Sequence, residues 1–233
     1  MQRLLPILYL LTLLIAGCDT STETAVVRIP DKAFLDRLLA AGVDRDGDGL
    51  ISLQEAEATL SLRIPPSGIS DLTGLEAFTA LDSLIITLNP LSNIDLSENT
   101  ALRVLELTSC ELTSLDVSRN LELRELNCGR NLLTGLDVSA NLQLTRLILN
   151  NNLISHLDLS TNGSLEAMIS CGNHLTKLDI SMLPHLQMIG VDNMPMLTEV
   201  CVWTLPFPPD GVTVLRTYSP RLQFTMNCTG DSH

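Results

Sequence analysis

Between residues 44 and 55 the chain reads Asp44, Arg45, Asp46, Gly47, Asp48, Gly49, Leu50, Ile51, Ser52, Leu53, Gln54, Glu55, so side-chain oxygens recur at the first, third, fifth, ninth and twelfth positions of one short loop. Carboxylates crowded this closely repel unless a counter-ion joins them. A hard divalent cation that takes six to eight oxygen ligands, calcium above all, suits the spacing. Asp44, Asp46 and Asp48 would each supply a carboxylate oxygen, Leu50 its backbone carbonyl, Ser52 a direct or water-mediated contact, and Glu55 a bidentate carboxylate. Gly49 stands where such a loop turns sharply, and Ile51 is the apolar residue that packs beneath it. The competing reading is a solvated acidic turn.

A loop of this kind must be held between two elements. Upstream, Phe34, Leu35, Leu38 and Leu39 fall at helical spacing behind Asp31, a residue placed to cap the helix, and Gly42 marks its end. Downstream, Gln54 to Leu62 predicts an exiting helix. Helix, loop and helix together resemble an EF-hand. A second loop of this pattern does not occur in the sequence, so residues 31–63 are expected to form a calcium-fastened cap rather than a paired sensor.

The cap precedes an internal repeat that runs from about Leu81 to Met194 with a period of 21 residues. Ile94, Leu115, Leu136, Leu157 and Leu178 share one register, each followed by Asp, an aliphatic residue and Ser. Each repeat divides into two halves of the form LxxLxLxxN, as in Leu112 to Asn120 and Leu123 to Asn131. Strand-like leucines facing inward would stack coil upon coil at about 4.8 Å. Asn99, Asn120, Asn141 and Asn162 would bond the turns on one side, and Asn89, Asn131, Asn152 and Asn173 those on the other. The expected fold is mainly β: a solenoid over residues 64–199 with two short parallel sheets, preceded by the helical cap and followed by an end-piece at 200–233.

These residues resemble the bacterial 21-residue leucine-rich-repeat proteins, in particular Bacteroidota surface proteins that carry an EF-hand loop ahead of the repeats. Ile69 to Phe78 is similar to the family's entry into the first coil, and Val200 to Pro209 to its tail. The resemblance implies a binding scaffold and leaves the ligand open.

The amino terminus bears on location. Arg3, the apolar run Leu4 to Ile15 and the small residues Ala16 and Gly17 have the layout of a signal peptide spanning residues 1–17. Leu14 to Cys18 resembles the lipobox of bacterial lipoproteins, which implies a lipid on Cys18, a membrane anchor, and a site at the outer membrane or cell surface. Residues 18–30, polar and rich in Thr at first, are expected to be a flexible tether.

Six cysteines include Cys18. Cys201 and Cys228 flank the end-piece and could close it with a disulfide; both remaining thiols is the alternative. Cys128 takes an inward leucine position, Cys110 an asparagine position, and Cys171 lies on a turn. His156, His174 and His185 occupy three different repeat positions, which disfavours a zinc or catalytic cluster. The Asp row from Asp95 to Asp179 is either bonded to its own turns or an anionic stripe. The other face varies: Ile85, Glu106, Asn127, Ile148, Ile169 and Gly190 share its exposed row. Ile148 and Ile169, with Arg124 and Arg146 beside them, are the expected partner surface.

A net charge of −13 argues against nucleic acid and favours cations, basic proteins or neutral glycans. The expectation is therefore a monomeric, non-catalytic scaffold that binds calcium and a protein partner at the cell envelope. The alternatives are a glycan-binding adhesin, disfavoured because Trp203 is the sole tryptophan, and a polysaccharide-degrading enzyme, which would need a carboxylate pair in a cleft.

Overall fold

Alternation of apolar and polar residues every second position makes each coil's front segment a strand, and the 21-residue period stacks these strands in parallel. In the computed structural model, which describes residues 25–219 and 222–227, they build a sheet of eight strands. In chain order these are β1 (Ser61–Ile64), β2 (Ser83–Thr87), β3 (Val104–Thr108), β4 (Glu125–Asn127), β5 (Arg146–Ile148), β6 (Ala167–Ile169), β8 (Met188–Gly190) and β10 (Thr213–Leu215). The register is strict: Leu84, Leu105, Leu126, Leu147, Met168 and Ile189 align across neighbouring strands, all at or below 1% exposure. Behind them, Leu96, Val117, Val138, Leu159 and Ile180 close the core from the other side.

The expectation of two full parallel sheets is met only in part. The second sheet has three strands, β7 (Lys177–Asp179), β9 (Glu199–Cys201) and β11 (Gln223–Thr225), all in the last coils. Earlier coils join at the back through single main-chain bonds, such as Leu132 N–H to the Leu112 carbonyl, and through asparagine amides. There, side-chain hydrogen bonds take the place of a ladder. Asn120 donates to the carbonyls of Leu96 and Asn99, Asn141 to those of Val117 and Asn120, and Asn162 to those of Val138 and Asn141. On the opposite turn, Asn131, Asn152 and Asn173 bridge coils in the same manner. Cys110 stands in this second column, and its thiol takes over part of the amide's role, contacting the carbonyls of Ile86 and Thr108.

Three boundaries differ from expectation. The exiting helix is only one turn, α2 (Leu53–Glu57), because Leu62 and Ile64 alternate with exposed neighbours as a strand and pair with β2. The solenoid therefore begins at Ser61, inside the segment assigned to the cap. The end-piece is not a separate cap, since β10 extends the front sheet and β11 the back one. Residues 25–30, expected in the tether, belong to the fold: Val26 pairs antiparallel with Ser52, and Val27 N–H and the Ala25 carbonyl bond Ile51 and Leu53. The chain then crosses Gly74, where a β-carbon would lie 2.9 Å from the Arg28 carbonyl oxygen, so only glycine fits at this φ of 106°.

The first helix, α1 (Lys32–Ala40), buries Phe34 and Leu38 against the first coil. It stops at Ala41 and Gly42, the latter at φ 74°, as the sequence indicates. No helix among the described residues is long and apolar enough to cross a membrane. The leader and Cys18 lie outside the described residues, as does Cys228.

Candidate functional site

Two regions merit attention, the acidic loop and the front sheet. In the loop, Asp44, Asp46 and Asp48 each present an oxygen within 4.8 Å of the others. Main-chain N–H groups set their orientation: Asp44 accepts from Gly47 and Gly49, Asp46 from Asp48, and Asp48 from Leu50. Gly47 and Gly49 take φ values of 78° and 84°, so both glycines shape the turn. Ile51 is buried beneath it, while Leu50 is exposed.

Glu55 occupies a different position from the three aspartates. It forms a capping box with Ser52 at the start of α2, and its other oxygen accepts from the N–H groups of Arg45 and Asp46. Bonds from the Ser52 N–H, the Arg45 N–H and the Ser52 hydroxyl pull its pKa down to about 2. The carboxylate is thus ionised and beside the aspartates, but already bonded. The donor set fits calcium through Asp44, Asp46 and Asp48; Glu55 and Ser52 would have to exchange bonds to join it.

Asp31 plays a part the sequence did not reveal. One oxygen caps α1 through Ala33 and Phe34; the other accepts from Ser70 and Asp71 in the first coil. Burial raises its pKa, but the bonds from Ser70, Phe34, Asp71 and Ala33 outweigh that and hold it below the usual carboxylate value. A sequence can signal a cap but not a contact 39 residues away.

On the front sheet, Ile148 and Ile169 are neighbours in register, and Gly190 follows. Both isoleucines are half-buried, whereas Arg124 and Arg146 are exposed. Arg146 lies in register with Glu125. Leu215 in β10 extends the apolar strip past Gly190, which the sequence row did not include. On the back, Asp95, Asp116, Asp137, Asp158 and Asp179 each accept the N–H of the Ser two residues on. Those bonds hold the first four below the ordinary carboxylate pKa despite like charge between neighbours. The row is bonded to its own turns.

Cys128 is fully buried, and burial pushes its thiol up to about 12; burial also raises Cys110 and Cys171. These three thiols are free, whereas Cys201 is disulfide-bonded. The end-piece also gathers aromatic rings: Trp203 meets Phe207 edge-on at 5.3 Å, Phe207 meets Phe224 at 4.7 Å, and Arg216 lies over Phe224.

Comparison with known proteins gives the following. The chain is 37% identical over 71 residues to internalin J of Listeria monocytogenes, a match to 30% of this chain and 8% of that protein's length. It is similar in structure to a leucine-rich-repeat protein of Leptospira interrogans, with a TM-score of 0.53, 17% identity, and 81% of this chain and 57% of that one covered. The LRIM1/APL1C complex offers a second likeness, with a TM-score of 0.56 and 19% identity over 70% of this chain and 40% of that one. No family model matches.

Proposed function

We propose that this leucine-rich-repeat solenoid is a non-catalytic scaffold of the bacterial cell envelope that recognises a protein partner on its front sheet. The observation that carries this reading is the contrast between two rows of the same strands. Inward positions repeat as Leu, Met or Ile, while the outward row runs Ile85, Glu106, Asn127, Ile148, Ile169, Gly190, Leu215. Uniform residues hold the scaffold together, and varied ones are free to encode a ligand. The partial likeness to an internalin and to the LRIM1/APL1C complex supports a protein ligand. Four carboxylates of the Asp row, held ionised, offer no general acid for polysaccharide cleavage.

Calcium at Asp44, Asp46 and Asp48, with Leu50, Ser52 and Glu55 completing the shell, would fasten the loop to α2. When bound, the cation would neutralise the crowded carboxylates. A lipid on Cys18 would anchor the chain at the outer membrane or cell surface, as the Bacteroidota-type lipoprotein resemblance implies.

The test is capture of partners from envelope and host extracts on the immobilised chain, in millimolar calcium and in chelator. The expected outcome is a protein captured by the native chain and lost when Ile148 and Ile169 are both changed to Ser. Capture that survives this double substitution would remove the front sheet from the reading.

A further inference from the structure

The outward row next to the isoleucines reads Thr87, Thr108, Gly129, Asn150, Cys171, Asp192 along the sheet, and Gly129 leaves a gap in it. Two amides fill that gap. A β-carbon at Gly129 would stand 2.7 Å from Asn150 Oδ1 and 3.3 Å from Asn127 Oδ1, so both oxygens converge over the bare backbone. Asn127 Oδ1 accepts the Gly129 N–H. The Asn150 side chain makes no hydrogen bond within the described residues. Glu106, in register with Asn127 on the adjacent strand, accepts from the Thr108 hydroxyl at 3.4 Å and enters no ion pair. Carboxylate and amide oxygens therefore meet at one spot, and no side-chain cation of the chain is bonded to them. Such a set is completed by a group that carries several N–H donors and a positive charge.

We propose that this notch receives a lysine or arginine side chain of the partner protein, with an adjoining apolar residue of the partner resting on Ile148 and Ile169. This rests on the front-sheet reading above and names the chemistry of its partner. Charge favours a basic occupant at two ranges. The net charge of −13 steers basic surfaces toward the chain from a distance, and Glu106 with the two amides fixes the cation on contact. Arg146 offsets Glu125, its neighbour in register, and Arg103 pairs with Asp82 at 3.1 Å, so these arginines are matched locally. Arg124 and Arg130 stand exposed at the start of β4 and on the turn after Gly129, positions from which they can meet acidic groups flanking the basic one.

The test uses capped peptides of sequence Gly-Lys-Gly-Leu-Gly and its Glu and Gln counterparts, titrated into the 15N-labelled full chain in mild detergent. The lysine peptide is expected to move the amide resonances of Asn127, Gly129, Ile148 and Asn150, and the glutamate peptide to leave them in place. Glu106→Gln should weaken the lysine peptide roughly fivefold without altering the spectrum of the free chain elsewhere. Equal shifts from the glutamate peptide, or shifts confined to the Asp row, would overturn the proposal. The same Glu106→Gln variant in the capture experiment separates the two readings. Capture that needs Ile148 and Ile169 but ignores Glu106 refutes the cation notch alone; capture indifferent to all three refutes the front-sheet reading as well.

Discussion

Asp31 binds four main-chain N–H groups from two units, and its removal should tell more about the joint between cap and solenoid than any core truncation. Asp31→Ala takes a cap from α1, a loss of about 1 kcal/mol on its own, and also frees the N–H groups of Ser70 and Asp71. Its pKa is depressed in the folded chain, so the stabilisation is complete above the unfolded value near pH 4 and fades as pH falls through the lower folded value. The stability gap between native chain and variant, measured by urea unfolding, should be constant from pH 7 down to about 5 and shrink progressively below about 4. A gap that persists unchanged in strong acid would assign the effect to packing. At this scale the sequence showed the residues but not all their partners. Asp31 was legible as a helix cap because capping is local, while its second pair of bonds depends on how the first coil folds back. Glu55 was legible as an acidic loop residue, yet its capping box with Ser52 competes for the same oxygens that the spacing assigns to a cation.

Elements in this fold are held by what recurs at the same place in each coil. Asn141 is fully buried, and its amide donates to the carbonyls of Val117 and Asn120 in the preceding coil. Asn141→Ala would leave both carbonyls without that donor and open a small void, a loss of about 2–4 kcal/mol. Leu142, exposed on the adjoining turn, is the contrasting position, and Leu142→Ala should change stability by less than about 0.5 kcal/mol. Comparing the two by chemical denaturation checks whether the asparagine column, not general apolar content, joins the coils. The column was readable from the sequence because asparagine returns every 21 residues. The strand content of the back was not. The half-repeat pattern is alike on both sides, but whether a segment makes a ladder or turns on side-chain bonds depends on geometry that LxxLxLxxN does not encode. The same ambiguity explains why Ser61 to Ile64 read as the tail of a helix: four residues with two apolar positions fit either period.

The whole molecule couples its acidic loop to its repeats by two routes, the Asp31 bonds and the strand pairing of Val26 with Ser52. Each coil of a solenoid is stabilised mainly by its neighbours, so anything that secures the first coil is transmitted along the stack. Calcium bound at Asp44, Asp46 and Asp48 should therefore stabilise more than the loop. With a dissociation constant of about 0.1–1 mM, expected for an extracellular site, calcium at about 2 mM adds roughly 0.6–1.8 kcal/mol. For a chain of this length that raises the unfolding midpoint by about 1–7 °C. The rise should appear in a single transition, disappear in the Asp44→Asn, Asp46→Asn double variant, and be far smaller with magnesium, which keeps its water and demands a tighter octahedral shell. Relief of self-repulsion at a net charge of −13 predicts a different pattern, since any salt of equal ionic strength would then act alike and the double variant would still respond. Calorimetry with calcium, with magnesium and with sodium chloride at matched ionic strength separates a specific site from general screening. If calcium raises the midpoint of the loop alone, as a minor first transition ahead of an unmoved main one, the cap is a separate unit and the coupling through Asp31 and the Val26 strand is too weak to reach the repeats.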